Sequence, residues 1–320
     1  MPLLGTLSGR FVSPISRRVF CGLIVCFAAA CLPLSSCTLL TRFPSLAEQS
    51  TIPTLDRNRG FLTSPSGRIP YQRWRVPSWS DDMRYVWVVG NHDFRKFDQV
   101  EIILYFHGMQ SKDYYGCFER ELEELAAKRP IKPFVFVGFV DAPYEVSRNR
   151  DENRWRMLAP RSGQRPDRLF EVVNALYGAF RTSFPHVKKN NAKIVLAGFS
   201  GGGRVLDAVG SWLVSSPRDD PYARVFLSRL SKMVYFDCWF DSTVVDTVPS
   251  LLENSPGMKI VGTVHMKKPK ENAARIVGKL KMRPGAKKDV LVGAGGRLVI
   301  FGGKSHWDAI ISRLGQALDV

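Results

Sequence analysis

The chain has 320 residues, of which 45% are hydrophobic and 23% are charged. This composition excludes a disordered, collagen-like or coiled-coil chain, and the length is sufficient for one large hydrophobic core. The formal net charge is +17, and only three of the 46 basic residues lie before residue 37. The rest of the chain is therefore itself basic, which favours an anionic partner, although a basic balance is also a common route to solubility.

The first residues follow the three-part pattern of a secretory leader. A basic stretch without acids, residues 1–18, precedes an apolar run, Val19–Leu34, that is short for a membrane-spanning helix. The sequence Leu34-Ser35-Ser36-Cys37 resembles the lipobox of bacterial lipoproteins, in which the leader is cut before the cysteine and that cysteine carries a lipid. The resemblance implies a signal peptide at 1–36, lipidation of Cys37, and a membrane-anchored location on the periplasmic side of the cell envelope, with the outer membrane as one option.

The export route stays open. Ser16-Arg17-Arg18-Val19-Phe20 resembles the twin-arginine signal, although Cys21 stands where that signal has a leucine-like residue. An uncleaved amphipathic or membrane helix is the alternative interpretation of the leader. Residues 37–68 are rich in Ser, Thr, Pro and Leu without a period and predict a tether, and 69–320 predict one domain. Nucleic acid is not an expected partner of an exported protein.

The cysteine count excludes a metal site made of cysteines. Three of the six cysteines lie in the leader and Cys37 is the lipidation site, which leaves Cys117 and Cys238. We expect these two as buried free thiols, and a disulfide between them stays open as the alternative in an oxidising compartment. The sequence implies no metal and no other cofactor.

The segment Lys193–Arg204 predicts a buried strand, a tight turn and a helix, and contains the pattern G-x-S-x-G. The apolar run Ile194–Gly198 suits a central parallel strand, and the small residues around Ser200 permit a sharp turn. Such a turn places the serine hydroxyl above the sheet edge and directs the backbone N–H of Gly201 at a developing oxyanion. The motif alone is weak, because a plain glycine-rich turn or an anion-binding loop has the same pattern.

A second strand adds context to this turn. Val100–Phe106 is strongly apolar and is followed by His107-Gly108-Met109. A strand that ends in His-Gly upstream of such a serine turn resembles the oxyanion strand of α/β-hydrolases. The resemblance implies that the backbone N–H of Met109 is the second oxyanion donor and that Gly108 permits the turn. We expect His107 to bond loop backbone rather than to act as a base.

The elements around these strands predict an α/β arrangement. An amphipathic helix, Tyr115–Arg129, and a buried strand, Pro133–Val140, give a βαβ unit, and Tyr71–Val76 with Arg84–Val89 predict an edge hairpin. An arginine-rich insertion at 144–164 is expected above the sheet edge at which Ser200 lies. Its arginines suit an anionic group of a substrate, and the alternative is a solvated loop with local ion pairs.

Two later strands supply the remaining site candidates. Leu230–Phe236 ends at Asp237, whereas Met258–Val264 is followed by no acid before Glu271. Many α/β-hydrolases carry the triad acid after the later strand, so the resemblance here implies an acid one strand early, at Asp237. Asp241 is the reserve candidate, and an aspartate that merely forms a turn is the other interpretation.

The last strand leads to a candidate base. Arg297–Phe301 precedes a glycine-rich loop with His306 and then an amphipathic final helix. The order Ser200, Asp237, His306 is that of α/β-hydrolase triads. One helix, Val244–Leu252, fills the stretch after Asp237, so no large cap domain is expected and the pocket should be open.

The resemblance covers about Val100–Val320. It implies an α/β-hydrolase fold, with a mostly parallel central sheet and helices on both faces, and a serine hydrolase that cleaves an ester by acyl transfer to water. Two alternatives stay open: a non-catalytic envelope lipoprotein that uses the fold as a binding scaffold, and a wall-peptide peptidase or amidase with the same triad. The expected partners are a membrane, through the lipid on Cys37, and a candidate anionic envelope component; the oligomeric state is not indicated.

Overall fold

The structure is a computed structural model, and it describes residues 54–64, 67–75, 85–90, 99–108, 134–140, 155, 158–159, 163–171, 173–174, 192–216, 220–285 and 290–319. Within these ranges the strands are β1 Thr54–Ser64, β2 Gly67–Arg75, β3 Tyr85–Gly90, β4 Val100–Phe106, β5 Phe134–Val140, β6 Ala192–Phe199, β7 Leu230–Phe236, β8 Lys259–Val264, β9 Arg283–Pro284, β10 Val290–Gly293 and β11 Leu298–Gly302. The helices are α1 Gly203–Ser215, α2 Pro221–Arg229, α3 Val244–Asn254, α4 Lys267–Leu280, α5 Asp308–Ile311 and α6 Leu314–Asp319.

The described strands form one sheet in the order β1-β2-β3-β5-β4-β6-β7-β8-β11-β10-β9. Every pairing from β5 through β11 is parallel, whereas the strands outside this central part pair antiparallel. The strand before the serine, β6, lies between β4 and β7 and is therefore central. This agrees with its continuous apolar sequence, which suits a strand covered on both faces.

The alternation of side chains along the strands divides the core into two layers. On one face, Leu104 and Leu196 belong to a cluster with Val209 of α1 and side chains of α2, α3 and α4. On the other face, Tyr105 and Ala197 belong to a cluster with side chains of α5 and α6, including Leu314. Helices therefore cover both faces of the sheet, and the predicted α/β fold class, with a mostly parallel central sheet between helices, is confirmed.

Several element bounds differ from the predicted ones. The predicted hairpin forms, but it is not at the edge, because β1 pairs outside β2. The sheet thus begins at Thr54, within the segment that the sequence assigns to the tether. The polar run Asp56–Arg59 hides the alternation by which a strand is recognised. The predicted final helix is divided into α5 and α6.

The segment between β7 and β8 contains a single helix, α3, as expected for a chain without a large cap at this point. Residues 167–171 and 173–174 are also helical. Among the described helices, none has the length and hydropathy needed to cross a bilayer. The leader and Cys37 lie outside the described residues.

Candidate active site

The candidate residues lie at one edge of the sheet, because parallel strands place their carboxyl ends there. The loops after β4, β6, β7, β8 and β11 begin at this edge, in the register that pairs Phe106 with Gly198 and Phe199 with Phe236. We call it the catalytic edge. This edge carries His107-Gly108, Ser200, Asp237, His265 and His306.

Ser200 lies on a sharp turn between β6 and α1. Its φ angle is +50°, a left-handed conformation that side chains other than glycine rarely adopt, and Ser200–Gly202 form one 3-10 turn. The turn packs so closely on the end of β4 that a Cβ built on Gly202 would lie 2.0 Å from the carbonyl oxygen of Phe106. A Cβ on Gly108 would lie 2.9 Å from the Cβ of Ser200. Both glycines are required by this contact, which holds the serine against the His-Gly loop.

The helix that follows the turn favours negative charge at the serine. The turn continues directly into α1, whose N-terminus therefore lies next to Ser200 and contributes partial positive charge there. Gly201 is half-buried within the turn, at the position from which its N–H was predicted to act. Met109, the other predicted oxyanion donor, lies outside the described residues.

Asp237 is fully buried directly after β7. Its φ is also +50°, and its backbone N–H donates to the carbonyl oxygen of Thr263 at 2.8 Å. The carboxylate accepts the backbone N–H of His265 at 2.8 Å and that of Met266 at 3.1 and 3.2 Å. Backbone donors thus compensate for the burial of the carboxylate, which would otherwise be unfavourable.

His306 is bonded to this carboxylate. Its Nδ1–H donates to Oδ2 of Asp237 at 2.6 Å, so the Nε2 atom is left to accept a proton. The imidazole packs against the ring of Phe199, the residue before the serine, with the rings tilted by 33° and their centroids 4.6 Å apart. The reserve candidate, Asp241, is exposed and accepts the backbone N–H of Thr243 at 2.9 Å, as a turn-forming aspartate does.

His107 is buried at the end of β4, and its Nδ1 lies 2.6 Å from the carbonyl oxygen of Gly108. It therefore bonds loop backbone, as expected from the sequence. Its ring meets that of Trp155 edge-on, with centroids 5.2 Å apart, and Trp155 also contacts Phe106. The described part of the arginine-rich insertion is thus anchored at the catalytic edge, whereas its arginines lie outside the described residues.

His265 has a position that the sequence analysis did not identify. Its backbone N–H binds the carboxylate of Asp237, and its ring Nδ1–H donates to the carbonyl oxygen of Gly303 at 3.1 Å. Gly303 begins the loop that carries His306, and its own N–H donates to Val264. One residue therefore contacts both the acid and the loop of the histidine. A backbone contact leaves no signal in a single sequence; the strand-end histidine itself was the available signal.

A second acid lies on α1, the helix that follows the serine turn. Asp207 follows Arg204 on α1, and its Oδ1 is buried without a hydrogen-bond partner among the described residues. Burial, with a smaller contribution from Asp241, raises the pKa of the Asp207 carboxyl well above its usual range. Cys238 is a buried free thiol that donates to the carbonyl oxygen of Gly198 at 2.8 Å, and burial raises its pKa as well. Cys117 lies outside the described residues.

The sequence matches no protein-family model, and no curated protein is similar to it at a significant level. Among solved structures, the enterochelin esterase from Shigella flexneri is 14% identical over 82% of this chain and 57% of its own length, with a TM-score of 0.43. A Bacillus cereus protein named BES is 14% identical over 85% and 98% of the two chains, with a TM-score of 0.44. An α/β serine hydrolase without lid from Xanthomonas campestris is 11% identical over 84% and 92%, with a TM-score of 0.35.

Proposed function

We propose that this protein of α/β-hydrolase fold is a serine hydrolase that cleaves an ester, with Ser200 as nucleophile, His306 as base and Asp237 as the acid that orients the base. The observation that carries the proposal is the bond of 2.6 Å between His306 and the buried Asp237, formed at the same sheet edge as a serine in a left-handed turn. An isolated strand-end aspartate or loop histidine would not require this pairing.

Each residue has a defined task in the proposed reaction. The Oγ of Ser200 attacks the ester carbonyl carbon while Nε2 of His306 takes the hydroxyl proton. Asp237 stabilises the imidazolium, and the N–H groups of Gly201 and Met109 are the proposed donors to the oxyanion. The proton passes from His306 to the leaving alcohol as the acyl–serine bond forms. Water, deprotonated by the same histidine, then releases the acid and restores Ser200.

The location of the reaction is part of the proposal. The lipobox resemblance at Cys37 supports a protein anchored to a membrane of the cell envelope and acting on its periplasmic side. Incorporation of labelled fatty acid into the protein in growing bacteria, with Cys37→Ala as the comparison, tests the anchor. Label of equal intensity in the two proteins would contradict it.

Labelling with a fluorophosphonate probe tests the catalytic part. The full chain should be labelled, because only an activated serine attacks such a phosphorus centre at a useful rate. Ser200→Ala and His306→Ala should abolish labelling, whereas Ser228→Ala, exposed on α2 just before β7 begins, should leave it unchanged. Absence of labelling in a folded wild-type sample would favour the scaffold alternative. Matched ester and amide substrates then separate an esterase from a peptidase or amidase.

A further inference from the structure

An exposed surface beside the catalytic edge combines lysines with apolar side chains. Lys267, Lys268 and Lys270 in the first turn of α4 are exposed, and Met266 just before them is 42% exposed. In the loop after β7, Phe240 is 37% exposed; among the described residues, Phe240 and Met266 are the exposed large apolar side chains. We call these five residues the basic rim.

The basic rim is continuous with the candidate site. The backbone N–H of Met266 donates to the carboxylate of Asp237. The side-chain amide of Asn272, in the second turn of α4, donates to the two carbonyl oxygens that flank Phe240 in the chain, at 2.9 and 3.1 Å. The loop with Phe240 therefore lies against α4, and the basic rim lies next to Asp237, the acid that binds His306.

The packing of α4 does not account for the lysines. The helix buries another stripe, which includes Ala273 and Ile276. No acid lies in the first turn, where the helix dipole disfavours cations, so the three lysines act against the stability of the helix. At the far end of α4, Lys279 forms an ion pair with Asp246, whereas the lysines of the rim form none within the described residues. Glu271 is the one acid of this helix.

The two apolar side chains of the rim, Phe240 and Met266, indicate which kind of anion the lysines bind. A dissolved anion or a charged polymer would be attracted by ammonium groups alone and would leave Phe240 and Met266 in water. At a membrane surface, lysines reach the headgroups on flexible stems while neighbouring apolar side chains enter the interfacial layer. Anionic lipids and juxtamembrane lysines attract one another over about one Debye length, so a rim of this size is sufficient for weak, reversible docking.

We propose that the basic rim docks the protein on a membrane surface that carries anionic lipid headgroups, with Phe240 and Met266 in the interfacial layer. Docking by this rim turns the catalytic edge toward the lipid rather than toward solvent. It also gives the chain a second membrane contact beside the proposed lipid on Cys37, and two weak contacts together hold a protein at a membrane far better than one.

Vesicle binding tests the proposal without any substrate, so its failure is distinct from a failure of the hydrolase proposal. The full chain carrying Cys37→Ser, to which no lipid can be attached, is sedimented with vesicles of phosphatidylcholine alone or mixed with about one-third phosphatidylglycerol. The leader is the same in every variant, so differences between variants report on the rim. Lys267→Gln with Lys270→Gln should weaken binding to the anionic vesicles about 10- to 25-fold, because each lysine near such a surface contributes about fivefold.

The control removes the same charge elsewhere. Lys281→Gln with Arg224→Gln alters two exposed cations, one at the far end of α4 and one on α2, and should change binding less than about twofold. Phe240→Ser with Met266→Ser should weaken binding several-fold with the charge unchanged. Equal losses in the two charge variants would overturn the proposal, since attraction would then be general. A loss on removing lysines but not the apolar pair would overturn the membrane assignment in favour of an anionic polymer.

Discussion

Replacing the ring of His265 tests how the loop that carries His306 is held. The ring bond to the carbonyl oxygen of Gly303, at 3.1 Å, links the end of β8 to this loop, and the backbone N–H of the same residue binds Asp237. His265→Leu removes the ring bond and keeps the backbone bond. The lost hydrogen bond corresponds to about 1 kcal/mol of folding stability.

The effect on catalysis should be larger than the effect on stability. A displacement of the imidazole by about 1 Å lowers a rate by about 100-fold when the displaced group acts in the transition state. We therefore expect kcat/KM of His265→Leu to fall about 10- to 100-fold, with most of the loss in kcat, because the base contributes little to ground-state binding. His265 is in this sense a positioning residue.

Two amides serve as matched controls in this experiment. In His265→Asn the amide nitrogen lies near the place of Nδ1 of the histidine, so this variant should keep most of the activity. In His265→Gln the amide nitrogen lies near the place of Nε2, so this variant should not. The assay is steady-state hydrolysis of a soluble p-nitrophenyl ester, together with the rate of fluorophosphonate labelling and a thermal melt of each variant. Full kcat in the Leu variant, or an Asn variant as slow as the Leu variant, would refute the role of the ring bond.

Three further predictions concern the serine turn and the helix α1 that follows it. Gly108→Ala places a methyl group 2.9 Å from the Cβ of Ser200 and should slow fluorophosphonate labelling at least about tenfold, whereas Gly257→Ala, in open space, should not. Ser200→Gly should abolish labelling and raise the free energy of unfolding by about 1 kcal/mol in denaturant melts, because glycine adopts a positive φ without strain. Lys281→Gly, at φ +47°, should raise the free energy of unfolding by a similar amount. A gain for Lys281→Gly alone would mean that Ser200 is unstrained. Burial raises the pKa of the Asp207 carboxyl, so the protein should lose stability as pH rises from about 4 through the folded-state pKa. Asp207→Asn removes this charge and should therefore melt at a higher temperature than the wild type near pH 8 but not near pH 4.

The sequence was sufficient for the parts of the fold in which one side-chain pattern dominates. The predicted strand Leu230–Phe236 agrees with the structure at both ends, because the apolar run Met233–Phe236 indicates a buried strand and the polar Asp237 ends it. The outer strands were missed for the opposite reason. β9 is two residues long and β1 contains a charged run, so neither has enough alternation to be recognised.

The grouping of the site residues was also predictable, because parallel strands bring their carboxyl ends to one edge whatever the side chains are. What could not be predicted was which contacts form there. The bond between His306 and Asp237 depends on the rotation of two side chains, and the bonds to His265 and Met266 use backbone N–H groups, which every residue but proline has.

The conformation of Asp237 explains how an acid placed one strand early reaches the histidine after β11. Its left-handed backbone conformation turns the chain directly after β7, and its N–H donates to the carbonyl oxygen of Thr263 near the end of β8. The carboxylate then lies across the end of β8, where the N–H groups of His265 and Met266 bind it. An aspartate tolerates this conformation better than most residues, since its short side chain can bond backbone nearby. The strand end at which many α/β-hydrolases carry the acid thus supplies backbone donors here, and the acid itself comes from the neighbouring strand.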